Sequence, residues 1–307
     1  MTSFTSTDYS NAGSPSVFTI PSSFTSIGND AFNGVTNLTS ITIPNSITSI
    51  GKDAFRDATN LSTVTFDDIS NSQLTTLDYG AFNNVTSLTS ITIPASVTEI
   101  YDRVFMGTTN LTEVIFHDIS NSQLTEIYGA TGNGYNEYGD SVWNGGAFRD
   151  SGLTTIIIPN NVQKIGRNAF RDTTNLSSVT IEPGTQITVL DYGAFKGATS
   201  LTSIIIPKSV LITSQWKSTN LFQGCSNLTN VTFEEPASVK HISRDMFREA
   251  GLTSIIIPTS VTDIAVTAFK DTIDLTLVIF ESDSSLSTIG TTAFIGSGLT
   301  TVYADQQ

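Results

Sequence analysis

The chain has 307 residues, of which 38% are hydrophobic and only 14% charged, and its net charge is −14. That balance excludes nucleic acid and anionic membrane surfaces as partners, because both need clustered Lys and Arg. One cysteine, Cys225, excludes an intramolecular disulfide framework and a cysteine-built zinc site.

Residues 1–15 are polar and read as an N-terminal extension, without the basic and apolar segments of a signal peptide. No stretch is apolar enough over ~20 residues to span a bilayer. From residue 16 to 303 the chain repeats itself, which predicts a single domain followed by a short tail, 304–307. A phenylalanine, usually after alanine, recurs in eleven units from Phe32 to Phe294. A leucine follows five or six residues later, as at Leu38 and Leu61. Three residues on comes a β-branched residue (Ile41, Val64, Ile91, Val114), and two beyond it a second apolar one (Ile43, Phe66, Ile93, Phe116).

The usual period is 22 to 27 residues. Alternation with period two turns Ile41 and Ile43 inward and Ser40 and Thr42 outward, which predicts a short strand, one rung of a parallel sheet. In half of the units proline follows at once (Pro44, Pro94, Pro159, Pro207, Pro258) and, having no N–H for the ladder, ends the rung. A further inward residue such as Ile50 or Ile100 comes next. The segment Gly51 to Phe55 has room for about one helical turn. No single circuit closes its own core; stacking does.

The motif from Leu38 to Phe55, L-T-S-I-T-I-P-N-S-I-T-S-I-G-K-D-A-F, resembles the Treponema-type, or BspA-like, leucine-rich repeats. The resemblance spans residues 16–303. It implies a curved, right-handed solenoid with strands on one face and turns or short helices on the other. It also implies a surface or secreted protein that binds other proteins or mediates adhesion. The chain departs from that family in lacking an export signal and the run of cysteines after Ala-Phe. Cys225 alone keeps that position, and reads as a buried core thiol.

A second period of about 50 residues overlies the first. Proline-ended units alternate with units whose longer turns carry acids: Asp67-Asp68, Asp118, Glu182, Glu234-Glu235, Glu281 and Asp283. These turns predict an acidic ridge, read either as a solvated edge or as a site for a basic partner or cation. No EF-hand pattern is present.

Two insertions break the template. The first, 128–144, carries Tyr128, Tyr135, Tyr138 and Trp143 beside Glu137 and Asp140; the second, 211–221, carries Trp216. Both leave the same arc of the solenoid. Their aromatic rings suit stacking on a peptide or glycan, or else fold each loop over its own small core. The outward strand position reads Thr42, Thr65, Thr92, Ile115, Ile157, Thr180, Ile205, Thr232, Ile256 and Ile279. Exposed Ile157, Ile205 and Ile256 mark an apolar partner surface, or simply fill strands with β-branched residues. The threonine columns raise ice binding as a minor alternative, which a thermal-hysteresis assay tests.

Seven Asn-x-Ser/Thr sequences occur, including Asn37, Asn60, Asn110 and Asn227, and most arise from the repeating Asn-Leu-Thr turn. His117 and His241 stand in distant units, so no catalytic pair or metal cluster is expected, nor any cofactor. Gly129 to Gly134 lacks the lysine and helix of a phosphate loop. The expectation is a non-enzymatic scaffold for a protein or glycan partner. The alternative is an assembly subunit self-associating through uncapped solenoid ends.

Overall fold

The computed structural model describes residues 2–129, 145–212 and 219–304. Each repeat makes one three-sided circuit. The front side is a four-residue strand such as Ser40–Ile43, Thr63–Phe66 or Ser90–Ile93. Its pairing is parallel and in register, so Ile41 meets Val64 and Ile43 meets Phe66. A corner follows, and then a two-residue strand such as Ser49–Ile50 forms a second, side sheet. That sheet runs unbroken through eight strands from Ser3–Phe4 to Val189–Leu190 and resumes with His241–Ile242, Asp263–Ile264 and Thr288–Ile289.

The third side is a column of turns rather than of short helices. Two residues around each stacked phenylalanine from Phe32 to Phe269 hold positive φ, for example Asp53 at 50° and Asp57 at 56° about Phe55, and this interrupts any helical run. The turns hydrogen-bond along the stack instead: Phe32 N–H donates to Ala54 O (2.7 Å) and Phe55 N–H to Ala81 O (2.8 Å). Among the described residues the repeats contain only two 3-10 turns, Ile69–Asn71 and Ile119–Asn121. Turns or short helices were both open on this side, since the segment has room for about one helical turn. Aspartate, asparagine and glycine, which adopt the left-handed conformation at little cost, decide for turns.

The phenylalanines fill the centre. From Phe4 through Phe294 each ring lies parallel and offset on the next, with centroids 4.8 to 5.7 Å apart and planes within 13°. Such stacking adds ~0.5–1.5 kcal/mol per pair to the burial of each ring. Cys225 lies in the same core, where its thiol donates to Phe195 O (3.1 Å) and burial pushes it up to about 12.

The first fifteen residues are not an extension. Strand Ser3–Phe4 pairs with Ser26–Ile27, and Phe4 stacks on Phe32 at 5.3 Å. Helix Ser6–Asn11 lies over the end of the stack, started by a capping box between Thr5 and Asp8, and Tyr9 is buried beneath it. The N-terminal end is therefore capped, which corrects the expectation of two open ends. At the other end the inward-type residues Ile289 and Val302 are half-exposed.

Candidate partner-binding site

The strand period places the outward residues of the front sheet in one column. Ile115, Ile157, Ile205 and Ile256 are 43%, 49%, 59% and 51% exposed. Register sets them beside one another or beside threonine: Ile115 by Thr92, Ile157 by Thr180, Ile205 by Thr232 and Ile256 by Ile279.

This sheet is interrupted, and the interruptions follow the prolines. After a long-turn rung's strand, the next residue donates its N–H to the carbonyl ending the preceding strand. Asp67 donates to Ile43 O (2.8 Å), His117 to Ile93 O (2.9 Å), Glu182 to Ile158 O (3.1 Å) and Glu234 to Ile206 O (2.9 Å). In the rungs between, that position is Pro94, Pro159, Pro207 or Pro258, and the closing bond has no donor. Among the described residues no pairing joins Thr63–Phe66 to Ser90–Ile93, Ser178–Ile181 to Ser203–Ile206, or Asn230–Phe233 to Ser254–Ile257. Between Glu113–Phe116 and Thr155–Ile158 only Glu113 and Thr155 are partnered. Where no proline follows the strand, at Thr301–Ala304, pairing with Leu277–Phe280 is complete.

Three of these openings are clefts. The first, ≈ 200 Å³, lies over Val114 and Ile156 with Glu113 at its rim. The second, ≈ 480 Å³, lies over Val179 and Ile204 between Glu182 and Glu234. The third, ≈ 300 Å³, lies over Val231 and Phe233 between Glu235 and Glu281. The sequence reading missed these clefts, although the alternation of proline with acid was their signal.

At the root of the first insertion, Tyr128 is half-buried and its N–H donates to Ile100 O (2.8 Å), so it ends a side-sheet rung. Its ring lies on Tyr101, centroids 4.7 Å apart and planes 2° apart. Both phenols donate to Glu99, Tyr101 at 2.8 Å and Tyr128 at 3.1 Å. The hydrogen bond to Glu99 holds the Tyr101 phenol up at about 12, while burial and then the Glu126 charge raise that of Tyr128. Register sets Glu99 beside Glu126, a repulsive pair relieved by these donors and by Lys164, whose Nζ is 2.6 Å from Glu126. Tyr101, which the sequence reading passed over, occupies the template position of Tyr128. The chain returns to the stack at Gly145 and Gly146. Gly146 N–H donates to buried Asp102 (2.6 Å), whose pKa is raised by burial, and a Cβ on Gly145 would stand 2.3 Å from the same carboxylate. Tyr135, Tyr138, Trp143 and Trp216 lie outside the described residues. Ile212 and Leu221, at the two ends of the second insertion, are buried and belong to the rung.

Part of the acidic ridge is committed to its own turns. Asp68 and Asp118 accept from Asn71 and Asn121, while Glu234 and Glu281 accept the N–H of Lys208 and Thr259. Among the described residues no cluster of His, Cys, Asp or Glu is arranged to hold a metal ion. His241 Nδ1 lies 3.0 Å from Asp263 on the adjacent rung of the side sheet. No helix among the described residues is long and apolar enough to cross a membrane.

A model of the BspA type leucine rich repeat region matches in six copies, over residues 2–129, 143–276 and 218–307. A leucine-rich repeat protein from Bacteroides ovatus is 25% identical with a TM-score of 0.62, over 95% of this chain and 64% of its own. This chain thus spans less than two thirds of that relative. The pneumococcal vaccine antigen PcpA superposes with a TM-score of 0.55 at 20% identity, over 95% of this chain and 78% of its own, and shares the fold. No individually curated sequence matches. With the family model covering nearly the whole solenoid, the chain belongs to the BspA-type leucine-rich repeat family.

Proposed function

We propose that the protein is a non-enzymatic scaffold that holds a protein partner against the outward face of its front sheet. One observation carries this reading: the half-exposed isoleucine column borders the clefts that proline opens in the same sheet. The two offer adjacent apolar surface with pockets, the form in which interfaces concentrate binding energy. The stacked Tyr101–Tyr128 pair adds a preorganised edge at the first insertion, where residues 130–144 supply a second contact for a protein or a glycan. A place at the cell surface accords with the likeness to a pneumococcal vaccine antigen.

Capture from surface and extracellular fractions tests it, with wild type compared to an Ile157→Lys/Ile205→Lys/Ile256→Lys variant and to Trp143→Ala/Trp216→Ala. A partner lost by the first variant alone supports the front face. A partner lost only by the second moves the site to the insertions. Self-assembly is the second reading. The N-terminal cap opposes head-to-tail growth. Sedimentation that depends on concentration would favour assembly.

A further inference from the structure

We infer that the row of openings in the front sheet takes a basic amphipathic helix laid along the solenoid axis. The inference rests on the front-face reading above and names the partner of that face.

Spacing is the first argument. The clefts recur at every second rung, between strands Glu113–Phe116 and Thr155–Ile158, then Ser178–Ile181 and Ser203–Ile206, then Asn230–Phe233 and Ser254–Ile257. Strands in a sheet lie ~4.8 Å apart, so neighbouring clefts lie roughly 10 Å apart. An α-helix advances ~10.5 Å in seven residues, so side chains at i, i+7 and i+14 meet three successive clefts. An extended peptide covers a similar distance in three residues, but its side chains then point to opposite faces. A polyproline helix repeats at ~9.3 Å and presents only one side chain in each repeat.

The rungs between the clefts decide between helix and polyproline. Every rung from Ser40–Ile43 to Leu277–Phe280, opened or not, presents an outward Ile or Thr, so the face has a period of one rung as well as two. A heptad seam has both: a side chain about every 5.2 Å, and an equivalent one every 10.5 Å. The cleft volumes, ≈ 200 to ≈ 480 Å³, suit single side chains of leucine or phenylalanine size rather than a folded surface.

Charge sets the flanks. Glu113, Glu182, Glu234, Glu235 and Glu281 border the three clefts. Arg56, Arg149, Arg171 and Arg248 lie on the turn side, each beside its own Asp or Glu, and one cation, exposed Lys208, follows Pro207 at the second cleft, against five rim carboxylates. A ligand with apolar side chains in the clefts therefore carries its flanking residues over carboxylates, which favours Lys and Arg there and disfavours acids.

Fluorescence anisotropy on the whole chain tests the inference with synthetic peptides of about 18 residues, enough to span ~20 Å as a helix. The first has leucine at heptad positions with Lys and Arg flanks. The second scrambles the leucine spacing at equal composition, the third replaces the cations by Glu, and the fourth is a Lys-bearing polyproline peptide. The expected result is binding of the first at least about tenfold tighter than of the others, weakening as salt rises. Ile157→Lys, Ile205→Lys and Ile256→Lys, all at exposed positions, each weaken it about tenfold or more without moving the melting temperature. Equal affinity for the scrambled peptide, tighter binding of the acidic or polyproline peptide, or indifference to the three variants overturns the inference. If the peptides fail while a captured natural partner is still lost by the triple Ile→Lys variant, the helix is wrong and the front face stands. If that partner is also retained by the triple variant, the front face itself is wrong.

Discussion

The side sheet and the front sheet are built by the same rungs over the same phenylalanine stack, yet one is continuous over eight strands and the other divides. The side sheet's strands are two residues long, and the residue after each keeps its N–H. Gly51 donates to Ile27 O (2.9 Å), Asp78 to Ile50 O (3.0 Å) and Tyr101 to Leu77 O (3.1 Å). In the front sheet proline follows Ser90–Ile93, Thr155–Ile158, Ser203–Ile206 and Ser254–Ile257, and the gap before each opens wholly or in part, whereas Ser40–Ile43, followed by Pro44, stays paired with Val17–Thr19. From Pro94 onward, a missing donor at every second rung accompanies the change from a sealed wall to a pocketed one. The outward residues follow the same division: Ser, Thr, Glu and Lys on the side sheet as far as Lys164, and Ile with Thr on the front.

The largest expected effect removes what both sheets share. Phe170→Ala leaves a ring-sized hole between Phe148 and Phe195 and costs ~3–5 kcal/mol, read as a fall in the urea midpoint. Loss of protection confined to the front sheet would show that the two walls do not depend equally on the stack. Next, Tyr101→Phe with Tyr128→Phe deletes both donors to Glu99 and leaves Glu99 facing Glu126, for a loss of roughly 1–2 kcal/mol in side-sheet stability. Pro207→Ala then returns an N–H opposite the Ile181 carbonyl. Amides of Ser203–Ile206 exchange more slowly, stability shifts by ~1 kcal/mol or less, and binding at the largest cleft weakens. Unchanged exchange would mean that the long turns, and not proline, hold the sheet open.

The smallest effect lies on the third side. Burial raises the pKa of Asp102, so its contribution to stability is full when it is protonated, below the ordinary aspartate value of 3.8, and falls as pH rises through its folded value. Asp102→Asn keeps an acceptor for Gly146 and removes the buried charge. A modest rise in melting temperature at pH 7, vanishing below pH 3.8, is expected.

Much of this was legible in residue order. Period-two alternation placed Ile41 and Ile43 inside and Ile157, Ile205 and Ile256 outside, because side-chain direction in a strand depends on position alone. Proline's role as a rung end was equally plain. That it also opens the gap behind it was hidden, because the carbonyl left without a donor belongs to another rung, 25 to 43 residues earlier, as Phe66 does to Pro94 and Phe116 to Pro159. The N-terminal cap was masked by composition: Phe4 and Tyr9 are isolated among Ser, Thr and Asn, and their burial is evident only once Phe4 lies on Phe32. Length left the turn side open between turns and short helices, since five residues fit a helical turn as well as a left-handed pair, and the positive φ of Asp53 and Asp57 decides for turns.

The lone thiol turns the stack into its own clock. Cys225 sits fully buried in a later rung of the column, with an acidity too low for reaction at neutral pH while folded. A solenoid can fray from its ends rung by rung without melting as a whole. A thiol-reactive dye therefore ignores fraying at the termini and labels the chain only when the circuit around Phe195 and Phe222 comes apart, so labelling rate against denaturant reports whether the interior yields before, or together with, the capped end.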